Sequence, residues 1–330
     1  MKITLRTLTP LWTGGVDGTT DRLHETAIIG NLRWWYEALV RGLGGYACDP
    51  TGEGRCEYNP KDPRPPEKQL CPVCYLFGAT GWGRKFRLQV IGQPKIVTLK
   101  GKLKAIASEQ SILLELIPLR NIKEEEWRLL QLTMRLVSEY GAIGGKTVFK
   151  PSDEPGREDE FHHLDFGLVS ITLPPDWPGT SLSLDDLKAY LTDERWRSGK
   201  HQYKDKQGVH DYAWASLQNF WCVKGRYLAR QNSRKSTFNQ VITRKEPKAQ
   251  AKEAENKWLA GTQQKSKQKS KKVFSFRRPA RTFGFVKPGL IDFDEMRQRL
   301  KHAWPDFDPE KEFLTGEQIL HILTSSGGAS

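Results

Sequence analysis

From Ile3 to Leu8 apolar and polar residues alternate, the period of a strand with one face on a core. Helical spacing then takes over. Between Asp21 and Leu43 the apolar positions Ile28, Leu32, Trp35, Tyr36, Leu39 and Val40 recur every three or four residues. Gly, Pro and four cysteines interrupt any period from 44 to 80. Phe86 to Leu99 and Ser111 to Leu119 read as strands. Glu124 to Tyr140 reads as an amphipathic helix whose acidic first turn suits the helix dipole, ending at Gly141. After a polar connection at 150–160 come a strand at Phe166 to Leu173, a helix at Ser183 to Leu191 opening on Ser/Asp, and a helix at Asp211 to Trp221. Residues 230–272 read largely as loop; a strand at Phe283 to Val286 and helices from about Asp294 and Thr315 follow. The order repeats in weaker form, which predicts an α+β chain of two ferredoxin-like modules, 1–160 and 161–330. The first carries a cysteine-rich insertion at about 44–80 and the second a basic loop at about 224–287.

No run approaches the ~18 apolar residues of a membrane span, and Met1 to Pro10 lacks the apolar core of a signal peptide. The expected location is the cytoplasm.

Charge changes this picture more than composition does. The chain of 330 residues carries a formal net charge of +13, with 52 Lys and Arg against 39 Asp and Glu. The whole excess sits between Lys224 and Lys287, which holds 19 basic and 3 acidic residues. Its run Lys265 to Lys272 suits a solvated loop. The flanking segments instead interleave cations with rings: Lys224-Gly-Arg226-Tyr227, Phe276-Arg277-Arg278 and Arg281-Thr-Phe283-Gly-Phe285. That mixture suits single-stranded nucleic acid, because phosphates take the charge and bases stack on rings. Core aromatics beside surface arginines give the same string.

Cys48, Cys56, Cys71 and Cys74 are spaced C-x7-C-x14-C-x2-C, and Cys71-Pro-Val-Cys74 is a tight knuckle of the kind that offers two thiolates to one zinc. A Gly- and Pro-rich loop without a core can be folded by such a metal. A redox pair at Cys71 and Cys74, or unconnected thiols, are the alternatives. Cys222 reads as a core thiol.

Gly141-Ala-Ile-Gly144-Gly145-Lys146 follows a helix and lacks the G-x4-G-K-[ST] spacing, which argues against nucleotide hydrolysis. Glycines there let backbone N–H groups approach an anion, and Lys146 adds charge; a helix cap followed by a turn explains Gly141 equally well. Arg33 and Arg41 are eight residues apart, near one helix face, and could reach phosphates. His24 is the candidate base for a metal-independent ribonuclease.

In combination, Thr9-Pro-Leu-Trp-Thr-Gly14-Gly15, Glu25-Thr-Ala-Ile-Ile-Gly-Asn-Leu-Arg33-Trp-Trp-Tyr-Glu-Ala-Leu39, Cys71-Pro-Val-Cys-Tyr-Leu-Phe-Gly78 and Gly141-Ala-Ile-Gly-Gly145 resemble the RAMP superfamily. More narrowly they resemble the first-numbered Cmr subunits of type III-B CRISPR effector complexes. The resemblance covers most of 1–150 and becomes general from 160 onward, with Arg281-Thr-Phe-Gly-Phe as a second glycine loop. It implies two RNA-recognition-motif-like modules and a non-catalytic subunit that holds the 3′ region of a guide RNA, together with target RNA and other complex subunits. It also implies RNA contacts at Gly14, Gly15, Arg33, Gly144, Gly145 and Lys146. Arg226, Arg277, Arg278 and Arg281 are candidates from charge and aromatic context alone. The alternative is an endoribonuclease that processes guide precursors.

Overall fold

The computed structural model describes residues 1–15, 17–205, 208–231, 236–243, 254–262 and 269–325. In β1 (Lys2–Thr7), Ile3, Leu5 and Thr7 are buried while their neighbours are more exposed, as a pleated strand on a core requires. α1 (Glu25–Gly42) buries Ile28, Leu32, Trp35, Tyr36 and Leu39, the residues whose spacing marked its apolar face. The interrupted segment contains α2 (Pro66–Gln69) and α3 (Pro72–Phe77), each with proline in its first turn, where the missing N–H has no helical partner to lose. The strand expected at 86–99 is broken into β2 (Phe86–Ile91) and β3 (Ile96–Leu99), with Gly92 at φ +91° between them. β3 forms a hairpin with β4 (Leu103–Ile106). Then follow β5 (Ser111–Pro118), α4 (Glu124–Glu139) and β6 (Val169–Thr172).

The first sheet has the order β2-β5-β1-β6, with every neighbour antiparallel. β6, which lies within the span 161–330, pairs Thr172 with Thr4 and completes the first sheet. Lys85, just before β2, is tied to the first turn of α4, its Nζ lying 2.8 and 2.9 Å from the two carboxylate oxygens of Glu126. Both side chains are buried. Burial pushes the Glu126 carboxyl up and the Lys85 ammonium down, and the pair's mutual attraction opposes both shifts.

α5 (Leu184–Thr192) opens on reciprocal bonds between Ser183 and Asp186. β7 (Gln202–Asp205) and β8 (Gly208–Asp211) form a second hairpin. The helix expected at 211–221 is instead a single 3-10 turn leading into β9 (Phe220–Lys224). Phe220, Trp221, Cys222 and Val223 are all buried, and a strand covered on both faces shows no alternation to read. α6 (Thr237–Thr243) and α7 (Ala254–Ala260) occupy part of the span expected as loop. The chain then forms β10 (Val273–Arg277), β11 (Ala280–Phe285), α8 (Phe293–Ala303), α9 (Pro309–Glu312), β12 (Leu314–Thr315) and α10 (Gly316–Ser325). Much of the lysine-rich run at 245–272 lies outside the described residues. The second sheet has the order β10-β11-β9-β12, again antiparallel throughout. Leaving the short β3–β4 hairpin aside, the two sheets share one strand order.

α1 is the wall between the halves. Tyr36 meets Phe77 edge-on at 5.2 Å, while Trp34 and Trp35 lie 5.5 Å from Phe285 and Phe220 of the second sheet. Such edge-to-face pairs add about 0.5–1.5 kcal/mol each beyond area burial. The other face of the second sheet, with Trp221, Val223 and Val273, packs under Phe238 and Val241 of α6 and Met296 and Leu300 of α8. No described helix is long and apolar enough to cross a membrane.

Candidate metal centre and nucleic-acid interface

Residues that cannot form a core by themselves bring four thiols together. Cys48, Cys56, Cys71 and Cys74 are all buried, and their sulfurs lie within 4.8 Å of one another. Cys48 Sγ is 3.4 Å from Cys74 Sγ and 4.0 Å from Cys71 Sγ, too far for a disulfide. Four thiolates at about 2.3 Å from a tetrahedral ion have sulfurs about 3.8 Å apart. The cluster matches that spacing, so these residues could hold a metal ion. α3 explains the knuckle: Cys71 caps it and Cys74 lies within its first turn, with Pro72 preset for the helix between them.

Donors from the surrounding chain reach two of the sulfurs. The Cys71 amide donates to Cys56 Sγ at 3.2 Å. Arg33 Nη2 donates to Cys74 Sγ at 3.1 Å, while its other donors hold the Gly78 carbonyl at 2.8 Å and Glu37 at 3.0 Å. Burial opposes ionisation of the Cys71 thiol, but hydrogen bonds from Cys48, Cys56 and Cys74 outweigh it and draw its pKa well below the ordinary thiol value. One helical turn beyond Glu37, Arg41 is buried and donates to the carbonyls of Ala47, Cys48 and Ala215. Arg33, Glu37 and Arg41 therefore share the face that their spacing implies. That face turns to the cysteine loop instead of to solvent. Burial pushes Glu37 up to about 7 against the pull of Arg41 and Arg33.

Three partners of the centre carry no signal in the sequence. Arg197 holds the carbonyls of Arg55 and Gly54 at 2.9 and 3.2 Å. His201 accepts from the Ala47 amide at 3.4 Å, and Tyr203 reaches Asp49 at 3.2 Å. All lie well over a hundred residues beyond the loop they cover, so only the fold reveals them.

The two glycine segments also meet. The Gly145 amide donates to the Trp12 carbonyl at 2.9 Å. A Cβ on Gly14 or on Gly145 would fall inside the Trp12 indole, so packing of that ring requires both glycines. The Gly15 amide is engaged by the Thr19 carbonyl at 2.8 Å, and a Cβ there would crowd His24 at 3.1 Å. The amides of Gly15 and Gly145 are thus committed within the fold. Gly144 has φ +85° and Lys146, unusually for a side-chain-bearing residue, φ +67°. Lys146 Nζ sits 4.7 Å from the Trp12 ring, which leaves a cation beside a partly exposed aromatic.

Most of the second-half arginines have internal duties. Arg226 bridges Asp306 at 2.9 Å and Glu312 at 3.0 Å. Arg277 donates to the Ser152 carbonyl at 2.6 Å. Arg281 is buried and donates to the carbonyls of Gly141 and Ser138 at 2.7 and 3.1 Å, capping the end of α4. Arg278 is exposed, and its side chain has no partner among the described residues. His24 Nε2 lies 2.7 Å from Asp21 Oδ1, a contact that lacks hydrogen-bond geometry.

Residues 4–149 match the model of the RAMP superfamily. No curated protein matches the chain. Among solved structures it is similar to a chain of a "Type IV-B CRISPR Complex", at 15% identity over 58% of this chain and 99% of that one, with a TM-score of 0.37. It is also similar to Cmr1 from Pyrococcus furiosus in its apo form, at 11% identity over 98% of this chain and 95% of that one, with a TM-score of 0.43.

Proposed function

We propose that the chain, whose residues 4–149 match the model of the RAMP superfamily, is a non-catalytic RNA-binding subunit of a type III-B CRISPR ribonucleoprotein. It acts in the cytoplasm in antiviral defence, holding the 3′ region of a guide RNA and target RNA beside other complex subunits. The family match carries this reading, and the motif resemblance supports the narrower assignment. We read each sheet, with its strand-helix-strand-strand-helix-strand course, as a ferredoxin-like module, divided after β6. The cation-and-ring surface at Lys146, Trp12 and Arg278 meets RNA, while zinc at Cys48, Cys56, Cys71 and Cys74 cross-links the insertion as a structural ion. Four thiolates leave it no open position for a catalytic water.

The test is binding of purified full chain to single-stranded RNA across a salt series. Affinity should fall with salt as phosphates release counterions, with little dependence on sequence. Salt-independent binding would overturn the reading. Zinc is tested by metal analysis: about one ion per chain, lost in Cys71→Ser/Cys74→Ser. The Asp21 carboxylate beside His24 favours a second reading, an endoribonuclease. Cleavage of repeat RNA in chelator, abolished by His24→Ala, would replace the first with it.

A further inference from the structure

Beyond the arginines with internal partners, three cations converge where acids are nearly absent. Lys150 is buried, yet its ammonium has only two long bonds, to the Val148 and Phe149 carbonyls at 3.3 Å. Its Nζ lies 5.3 Å from the Phe238 ring and 5.4 Å from Phe274. Lys271 approaches the same Phe238 ring at 5.4 Å. The Arg230 amide donates to the Pro151 carbonyl at 2.8 Å, which ties the main chain of the exposed Arg230 to the residue after Lys150. No carboxylate forms an ion pair with any of the three among the described residues.

One acid stands nearby. Asp165 Oδ2 accepts from the Arg277 and Arg278 amides at 2.8 and 3.0 Å, and its buried Oδ1 has no hydrogen-bond partner. It is committed to the backbone and offsets at most one of three charges. Burial and the neighbouring Lys271 and Arg230 drive Lys150 well below the ordinary lysine pKa, and burial with Arg230 pushes Lys271 down to about 8. Aromatic faces stabilise cations only weakly, and uncompensated burial of an ammonium is costly. Among the described residues no carboxylate pairs with these cations, which leaves room for a negative charge supplied by a ligand.

We propose that Arg230 and Lys271 bind a phosphate of an RNA backbone above Lys150. The ligand's being RNA rests on the function proposed above; the phosphate chemistry rests on the three cations. A phosphate fits because it is compact and multiply charged, and accepts from several donors at once.

Two probes on the full chain test this. The first is the thermal shift given by sodium tripolyphosphate. The second is the salt dependence of binding to a fluorescein-labelled single-stranded RNA. Wild type should gain Tm with tripolyphosphate, and Arg230→Gln/Lys271→Gln should lose that gain. In the same double variant RNA binding should weaken at least about tenfold, and the salt slope should drop by about 0.7, the value for one phosphate on a single strand. Lys150→Met should raise the basal Tm, because a buried and poorly hydrogen-bonded polar group is removed, while weakening RNA binding; a merely structural lysine would not do both. RNA binding with the wild-type slope in both variants would overturn the site and leave the RNA-binding reading standing. A tripolyphosphate shift lost in the double variant, with no RNA binding by wild type, would overturn that reading and keep the phosphate site. Absence of both responses in wild type rejects the two together.

Discussion

Replacing Arg33 by Met should weaken zinc binding without removing any ligand to the ion. The guanidinium makes three contacts, to Cys74 Sγ at 3.1 Å, the Gly78 carbonyl at 2.8 Å and Glu37 at 3.0 Å. Met keeps the packing of the stem and deletes every donor. The bond to Cys74 stabilises the thiolate over the thiol, so its loss acts on the metal-bound state; outer-shell partners of this kind are worth about 10–100-fold in metal affinity. The bonds to Gly78 and Glu37 act on folding instead, at about 1.5–3 kcal/mol for a charge-assisted bond. Zinc transfer to a chromophoric chelator separates the two when paired with urea unfolding of the zinc-loaded chain. Arg33→Lys keeps the charge but cannot fork to three acceptors, so it should fall between wild type and Met. Equal zinc affinity in Arg33→Met and wild type would refute the reasoning. So would weaker RNA binding with zinc unchanged, since Arg33 would then serve RNA.

Lys85→Met leaves the buried Glu126 carboxylate alone and should cost about 3–5 kcal/mol at neutral pH by urea unfolding. Mild acid should restore part of it, because burial already favours the protonated form of Glu126. Burial drives the His201 pKa from 6.5 down to about 4, with Arg41 adding to the shift. That group's stability is present above 6.5 and lost as pH falls toward 4; urea midpoints over this window should decline less in His201→Gln, and identical declines would count against the assignment. Gly145→Ala pushes a methyl into the Trp12 indole and should destabilise by about 1–3 kcal/mol, with a shift in tryptophan emission. An unchanged Tm would mean that the ring is free to move away.

The first sheet and its helices were readable because each has one apolar face, and Ile3 and Leu5 or Ile28, Leu32 and Tyr36 recur at the matching period. β9 was not, since Phe220 to Val223 are buried on both sides and resemble a short helical run. β6 is legible as a strand, but its pairing of Thr172 with Thr4 is a matter of topology and leaves no local mark. The thiols were grouped correctly from spacing. The arginines were harder. Charge marks a cation but says nothing of acceptors 80 to 140 residues away, and Arg226 and Arg281 find theirs at such distances. Lys150, in a nearly neutral stretch, drew no notice for the converse reason.

The position of α1 between the sheets bears on how the chain is made. Trp34 and Trp35 leave the ribosome early, but the rings that cover them, Phe220 and Phe285, are synthesised some two hundred residues later. Until then a nascent first half displays an aromatic stripe to solvent, the kind of surface on which partly made chains associate. Truncation before β9 makes that condition permanent. Fragments ending there should therefore be recovered as aggregates or chaperone complexes, however complete their own sheet.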